Sequence, residues 1–383
     1  MSEWKEYKLG ELGTVITGKT PSSSNPEDWG EEMLFITPSD YRNFGKHAND
    51  SERKLSSIGI ERLKNKVLPP KSILVTCIGS DMGKVVMNDV HCITNQQINT
   101  IIPDINVDND FLYYMLVSIY DTLRVYGGDG TAVPIVNKKD FENIKVELPV
   151  SIDTQRRIAS ILTSLDDKID LLRRENTTLE AMAETLFRQW FVEEAKEEWK
   201  EGKLGDEFAF TMGQSPSGDS FNEEGIGVPM YQGNADFGFR FPTRRVYTTQ
   251  PTRFAEINDT LISVRAPVGA QNMAIERCCI GRGVAAFRYK NNPSYYSYTY
   301  YKLKSLLEEI KQFNDNGTVF GSISKADFEN LDIVIPDKET ILGFQQQVKV
   351  IDDKIMNNNN EIQTLIQTRD GLLPRLMGGE IRV

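Results

Sequence analysis

The sequence predicts an α+β chain: two mixed α/β globular parts, each followed by a long heptad-patterned helix. Three observations predict it. First, the 383-residue chain repeats itself. Trp4 to Ser22 (WKEYKLGELGTVITGKTPS) returns as Trp199 to Ser217 (WKEGKLGDEFAFTMGQSPS), with nine of nineteen positions identical. Gly130 to Pro149 returns as Gly317 to Pro336, with eight of twenty identical. That period is far longer than the roughly 20–50 residues of a solenoid unit, so it marks a duplicated domain. Second, each copy ends in a heptad run. Third, the copies themselves alternate short apolar runs with Gly and Pro, the pattern of strands joined by turns. The expected boundaries are 1–150 and 197–337 for the globular parts, and 151–196 and 338–383 for the helices.

Within the copies, Ser72 to Thr76 and Thr260 to Val264 read as strands, and Asp110 to Arg124 and Tyr295 to Gln312 as amphipathic helices. Tyr113, Tyr114 and Leu116 match Tyr300, Tyr301 and Leu303 at an offset of 187. Aromatic side chains at helical spacing belong in a core, although such rings can also stack on bases.

The heptad runs carry the clearest physical signal. Ile158, Leu162, Leu165, Ile169, Leu172, Asn176, Leu179, Ala183, Leu186 and Trp190 alternate spacings of four and three. Phe344, Val348, Ile351, Ile355, Asn358, Ile362, Leu365, Arg369, Leu372 and Leu376 do the same, each 186 residues after its counterpart. A strict 3.5-residue repeat makes a narrow seam that needs a partner helix. The nearest partner is the other run. Asn176 and Asn358 interrupt the seams: buried, they would fix the register, and near solvent they would merely be tolerated. Asp153 offers an N-cap for the first helix, and Pro374 should end or kink the second near Leu373. A helix from Asp153 to Trp190 would span about 57 Å, the proportions of a spacer.

Composition bounds the function. At 39% hydrophobic and 26% charged the chain reads as globular. The opening Met1-Ser2-Glu3-Trp4 lacks a basic start and an apolar run, and no stretch of about 18 apolar residues exists to span a bilayer, so the expected address is the cytoplasm, with no membrane partner. The net charge is −11, and no segment has a basic excess: residues 1–150 hold 16 basic against 21 acidic side chains, and 199–337 hold 15 against 17. Any basic surface must be assembled by folding, from clusters such as Arg240, Arg244, Arg245 and Arg253. Cys77, Cys92, Cys278 and Cys279 lack metal-ligand spacing, and only His47 and His91 could join them, so buried reduced thiols are expected and no metal.

Catalytic signatures stop short. Gly79-Ser80-Asp81-Met82-Gly83-Lys84-Val85 resembles a phosphate-binding loop but is one residue short, with Val85 where magnesium would need a hydroxyl. Asn292-Pro293-Ser294-Tyr295 approaches the (Asp/Asn)-Pro-Pro-(Tyr/Phe) motif of amino-methyltransferases without its second proline. Asp236-Phe237-Gly238 matches a kinase triplet whose companion motifs are missing. The chain reads as non-catalytic and without a cofactor.

Several segments together resemble the specificity (S) subunit of type I restriction–modification systems. They are the two Trp-Lys-Glu-x-Lys-Leu-Gly openings at Trp4 and Trp199, Asn95-Gln96-Gln97-Ile98, Ser263-Val264-Arg265-Ala266-Pro267-Val268-Gly269 and Gly281-Arg282-Gly283. The paired Asp-Phe-Glu-Asn (Asp140, Asp327) and Asp-Asp-Lys-Ile (Asp166, Asp352) segments and the ending from Leu372 to Ile381 complete the set, which covers essentially the whole chain. The resemblance implies two target-recognition domains and two helices packed antiparallel in a pseudo-twofold arrangement. Each domain would read one half of a split double-stranded DNA target, and the helices would set the gap. It further implies that the subunit catalyses nothing itself but docks two adenine-methyltransferase (M) subunits and, in the full complex, restriction–translocase (R) subunits. The alternatives are a coiled-coil adaptor with two protein-binding domains, and a self-sufficient DNA-modifying enzyme built on Asn292 to Tyr295.

Reading bases in the major groove takes Arg or Lys for guanine and Asn or Gln for adenine, whereas hydroxyls and backbone amides serve phosphates. The polar, Gly-containing loops that match between copies are therefore the candidates: Thr17 to Ser24 with Met212 to Ser220, and Thr37 to Lys46 with Tyr231 to Arg245. Gly79 to Lys84 and Thr94 to Gln97 join them. The candidate DNA-binding residues are Lys19, Thr20, Ser22, Ser39, Arg42, Lys84, Asn95, Gln96 and Gln97 in the first copy. In the second they are Gln214, Ser215, Ser217, Gln232, Asn234, Arg240, Arg244, Arg245, Arg265 and Arg282. The divergent stretches, Ser22 to Gly130 and Ser217 to Gly317, are where two different half-sites would be read. Because phosphate neutralisation supplies much of DNA affinity, a chain at −11 should bind DNA feebly by itself. Gel-shift titration at physiological salt should show specific binding only with the methyltransferase subunits added, and nanomolar binding by the isolated chain would contradict this.

Overall fold

The computed structural model describes residues 3–128, 135–312, 322–381 and 383. Gly130 and Gly317, where the second repeated segment begins, lie outside the described residues. Two long helices, Ile152–Arg188 and Lys338–Met377, follow the two globular parts. The chain forms two compact units, and each takes a stretch of both helices: Met1–Arg174 with Asn359–Val383, and Glu175–Asn358.

In the first unit, one sheet orders Gly13–Thr17, Ile98–Pro103, Ile73–Thr76, Val85–Asn88 and His47–Ala48, antiparallel except for the last pair. A second orders Trp29–Gly30, Arg53–Leu55, Met33–Ile36 and Cys92–Thr94, with the last pair parallel. The second unit repeats the plan. Phe208–Met212, Val284–Tyr289, Thr260–Ser263 and Gln271–Met273 form an antiparallel sheet. Phe221–Asn222, Val246–Thr248, Val228–Tyr231, Cys278–Ile280 and Phe254–Ala255 form the other, with Val228–Tyr231 and Cys278–Ile280 parallel. The repeated Trp-Lys-Glu openings pair with the repeated exits, Trp4–Lys8 with Lys145–Pro149 and Lys200–Lys203 with Asp332–Ile335. Each copy of the duplication therefore closes on its own ends.

Both expected amphipathic helices form, each in two pieces: Asn109–Ser118 with Tyr120–Tyr126, and Tyr296–Ser305 with Leu307–Lys311. The last residue before each break is a serine whose hydroxyl donates to a carbonyl three residues back, Ser118 to Met115 and Ser305 to Lys302, both at 2.7 Å. Such back-bonding competes with the helical ladder and bends it. Tyr113, Tyr114, Tyr300 and Tyr301 are buried, so these rings are core. So are all four cysteines; burial pushes the Cys77 and Cys92 thiols up to about 12.

The helix stretches run antiparallel within each unit. In the first, Asp166 meets Arg369, Lys168 meets Glu361, and Ile169 and Leu172 pack on Ile362. In the second, Phe187 packs edge-on against Phe344, and the Asn358 amide donates to the Asn176 carbonyl at 2.9 Å. Asn176 and Asn358 are both buried, and this mutual bond is satisfied at one offset of the helices, so they fix the register. Ile158, Leu162, Ile169, Leu172, Phe344, Val348, Ile355 and Ile362 are buried, and Leu165, Leu179, Leu186, Ile351, Leu365 and Leu372 half-buried.

Two expectations about the helix ends are corrected. The first helix begins at Ile152, and Thr154 and Gln155 donate to the Ser151 carbonyl, which puts Asp153 inside the first turn rather than at the cap. The second helix does not end near Leu373 but continues through Pro374 to Met377. Burial of Leu376 in the first unit's core anchors the last turn, which closes where Gly379 adopts φ +69°. Among the described residues no helix is long and apolar enough to cross a membrane.

One buried group makes stability depend on pH. Glu207, at the position Leu12 holds in the first copy, lies in the second unit's core, accepting from the Tyr298 hydroxyl at 2.8 Å. Burial pushes its carboxyl up to about 7. The protonated form suits the fold, so its contribution is fully present below the unfolded value of about 4.3 and is lost as pH rises through about 7. Relative to Glu207→Gln, the wild-type chain should lose on the order of 3 kcal/mol between pH 4 and 8. Urea titrations of both proteins at the two pH values check this; the same pH dependence in both would refute it.

Candidate nucleic-acid interface

Four segments of each unit leave the sheets at the same end, and strand direction is the reason. In the first unit Met33–Ile36 and Cys92–Thr94 run parallel, so the segments after them emerge side by side, with the Asn95 amide donating to the Ile36 carbonyl at 3.2 Å. Gly13–Thr17 delivers the third segment: Gly18 donates to the Ile98 carbonyl at 3.2 Å and Lys19 to that of Thr94 at 2.8 Å. Ile73–Thr76 delivers the fourth, with Cys77 donating to Gln97 at 2.7 Å.

The second unit repeats these bonds. Gly281 donates to Tyr231 at 2.8 Å, Gly213 to Val284 at 2.9 Å, Gln214 to Ile280 at 3.0 Å and Val264 to Gly283 at 2.9 Å. Because the frame is made by main chain, side chains at its rim are free to differ. Asn95-Gln96-Gln97 in one copy stands where Gly281-Arg282-Gly283 stands in the other. Gly83 and Gly269 do matching work in the fourth segment. Both have φ near +90°, and a Cβ there would meet Tyr120 at 2.7 Å or Lys311 at 2.8 Å.

The candidates of the first unit separate into presented and structural groups. Lys19, Ser22, Ser39, Arg42, Lys84 and Gln96 are exposed. The Thr20 hydroxyl donates to Gln96 Oε1 at 2.7 Å, which orients that amide. Asn95, by contrast, is buried and spends its groups inside the turn: Oδ1 accepts from the Gln97 amide at 3.1 Å and Nδ2 donates to Gln97 Oε1 at 2.9 Å. Asn95 and Gln97 shape the turn that presents Gln96. Lys84 pairs with Asp81 at 2.6 Å in a turn between two antiparallel strands, a context unlike the strand-to-helix loop of a phosphate-binding motif. Lys66 was not expected here; its ammonium donates to the Thr17 carbonyl at 2.9 Å and steadies the first loop. No local pattern could reveal a contact made 49 residues away.

In the second unit Gln214, Ser217, Gln232, Asn234, Arg265 and Arg282 are exposed, and the half-buried Ser215 accepts from the Arg282 amide at 3.2 Å. The arginine cluster divides. Arg253 is exposed beside the rim, its carbonyl accepting from Ile280. Arg244 pairs with Glu276 at 2.5 Å and Arg245 with the buried Asp236 at 2.8 Å. Asp236 also accepts from the Gln232 amide at 2.6 Å, so the Asp-Phe-Gly triplet holds a turn. Asn292 likewise spends Oδ1 on Ser294, in the turn leading into Tyr296–Ser305.

Arg240 is the correction. Its side chain is 1% exposed, paired with Glu180 at 3.0 Å and Asp352 at 2.6 Å, and its guanidinium carbon lies 3.3 Å from the Tyr300 ring centroid. It faces the long helices and cannot present itself to a groove. Composition placed it with exposed neighbours; burial among two carboxylates and two rings removes it. Among the described residues no group of three His, Cys, Asp or Glu side chains is placed to hold a metal ion.

Known proteins resemble this chain along its whole length. The family described as the type I restriction modification DNA specificity domain matches twice, over residues 1–181 and 196–368. A Methanocaldococcus jannaschii chain carrying the name of the type I restriction enzyme MjaX specificity subunit is 33% identical over 264 residues. That match covers 65% of the present chain and 62% of the relative. The MjaIX specificity subunit of the same organism is 25% identical over an alignment covering 100% of this chain and 94% of the relative. The crystal structure of the type I restriction–modification S subunit from M. genitalium shares the fold, with a TM-score of 0.60 at 19% identity over 98% of this chain and 96% of that one. The chain belongs to the family of type I restriction–modification specificity subunits.

Proposed function

We propose that the chain is the DNA sequence-recognition subunit of a type I restriction–modification complex, reading a bipartite target with one globular part per half-site. The observation that carries this reading is a frame built twice from the same main-chain bonds with different polar side chains on its rim. One backbone then offers two sequences, Gln96 at one rim and Arg282 at the other. A Gln suits adenine and an Arg suits guanine. The exposed groups at the two rims are Lys19, Ser22, Arg42, Gln96, Gln214, Gln232, Asn234, Arg265 and Arg282. Lys, Arg and Ser among them also serve phosphates.

In this reading the chain is non-catalytic and cytoplasmic. It docks methyltransferase subunits, two per chain, and restriction–translocase subunits in the full complex; the long helices set the gap between half-sites. The expected boundaries, with recognition domains at 1–150 and 197–337, fit the way each repeated opening pairs with its own exit.

Methylome sequencing of cells expressing the chain with its methyltransferase partner should show one split motif methylated on adenine. An unsplit motif, or no new methylation, would overturn the proposal. In the same assay Arg282→Ala should relax one base pair of one half-site, at about 1–3 kcal/mol, and leave the other half-site intact. Uniform loss across all sites would instead make Arg282 a phosphate contact.

A further inference from the structure

Arg240 and Lys46 are counterparts, although no sequence motif links them. The main chain of each bonds to the corresponding strand of its sheet: the Lys46 carbonyl accepts from Met87 at 2.8 Å and the Arg240 carbonyl from Met273 at 2.9 Å. Met87 and Met273 are 186 residues apart, the offset of the heptad seams. Each cation is buried on the repeated tyrosine pair. The Lys46 ammonium lies 4.7 Å from the Tyr114 ring centroid and 5.4 Å from that of Tyr113. The Arg240 guanidinium lies 3.3 Å from Tyr300 and 5.1 Å from Tyr301.

Each cation also reaches at least one long helix of its own unit. Lys46 donates to Thr163 on the first helix at 3.0 Å and pairs with Asp110 at 2.5 Å. Arg240 bridges both helices, pairing with Glu180 on the first and Asp352 on the second. A buried cation desolvated between rings and helices is satisfied in one pose. Both side chains are 1% exposed, so neither presents its charge as the exposed candidates do.

We propose that Lys46 and Arg240 are positioning residues for target readout, each seating the strand-rich part of its unit on the long helices and so fixing where its half-site is read. This rests on the bipartite reading proposed above. The test uses the complete chain assembled with its methyltransferase subunits and DNA carrying the native target or targets with the gap lengthened or shortened by one base pair. Arg240→Met removes the cation; Arg240→Met with Glu180→Gln and Asp352→Asn makes the Arg240 contact charge-free, with Lys304 keeping Glu184 as its partner, so that a folded protein is available if the single variant is unstable. Arg240→Lys supplies the residue that the first unit uses.

The expected result is that discrimination against the altered gaps falls by about tenfold in the charge-free variant while methylation of the native target persists, and that lysine restores it. Unchanged discrimination in the charge-free variant overturns the proposal, as does an equal loss of rate at every gap, which would mark a merely structural role. Failure of the wild-type complex to methylate any split target would instead overturn the bipartite reading, and the positioning role with it.

Discussion

In each unit the fastening of the long helices centres on one buried carboxylate and the cation that neutralises it. Asp166 and Asp352 occupy the same place in the repeated Asp-Asp-Lys-Ile segment, and both are buried against a tyrosine of the repeated pair. An isolated charge in such a place costs several kcal/mol, so an arginine must reach it. In the first unit that arginine is Arg369, from the opposing helix, at 2.8 Å. In the second it is Arg240, from the strand-rich part, at 2.6 Å. Burial still raises the Asp352 carboxyl above its ordinary value, with Arg240 opposing the shift.

The two solutions have different mechanical consequences. Arg369 joins helix to helix and leaves Lys46 to hold the strand-rich part through a hydroxyl and an acid of its own domain. Arg240 takes both jobs, and Glu180 gains a second cation in Lys304 at 2.6 Å. The duplicated frame has diverged in how it is fastened as well as in what its rim presents. That divergence is easy to accommodate because the frame is main-chain hydrogen bonding and apolar packing, neither of which constrains the rim side chains.

Legibility varied with how local the governing interaction was. The helices, their pairing and the tyrosine core were readable because periodicity records burial along a single element. Where two signals competed, tertiary packing prevailed: Leu376 carried the second helix past Pro374, and two serines cut helices that looked continuous. The rim loops were readable as a set, because the duplication marks them. Their individual members were not, since Asn95, Gln96 and Gln97 have similar chemistry and differ only in which of them the turn turns outward.

By itself the sequence determined the duplication and the seams, which follow from residue identities repeating at fixed intervals, and it carried the family resemblance in several quoted segments; that Asn176 and Asn358 fix the register was decided by their burial and mutual bond. The tertiary structure alone decided which cations are available. Arg240, Arg244, Arg245 and Arg253 are alike in composition and close in sequence, yet one is buried on tyrosines, two are exposed but paired with acids and one is exposed beside the rim. Charge is a property of a residue, whereas its availability depends on partners brought from 60 and 112 residues away.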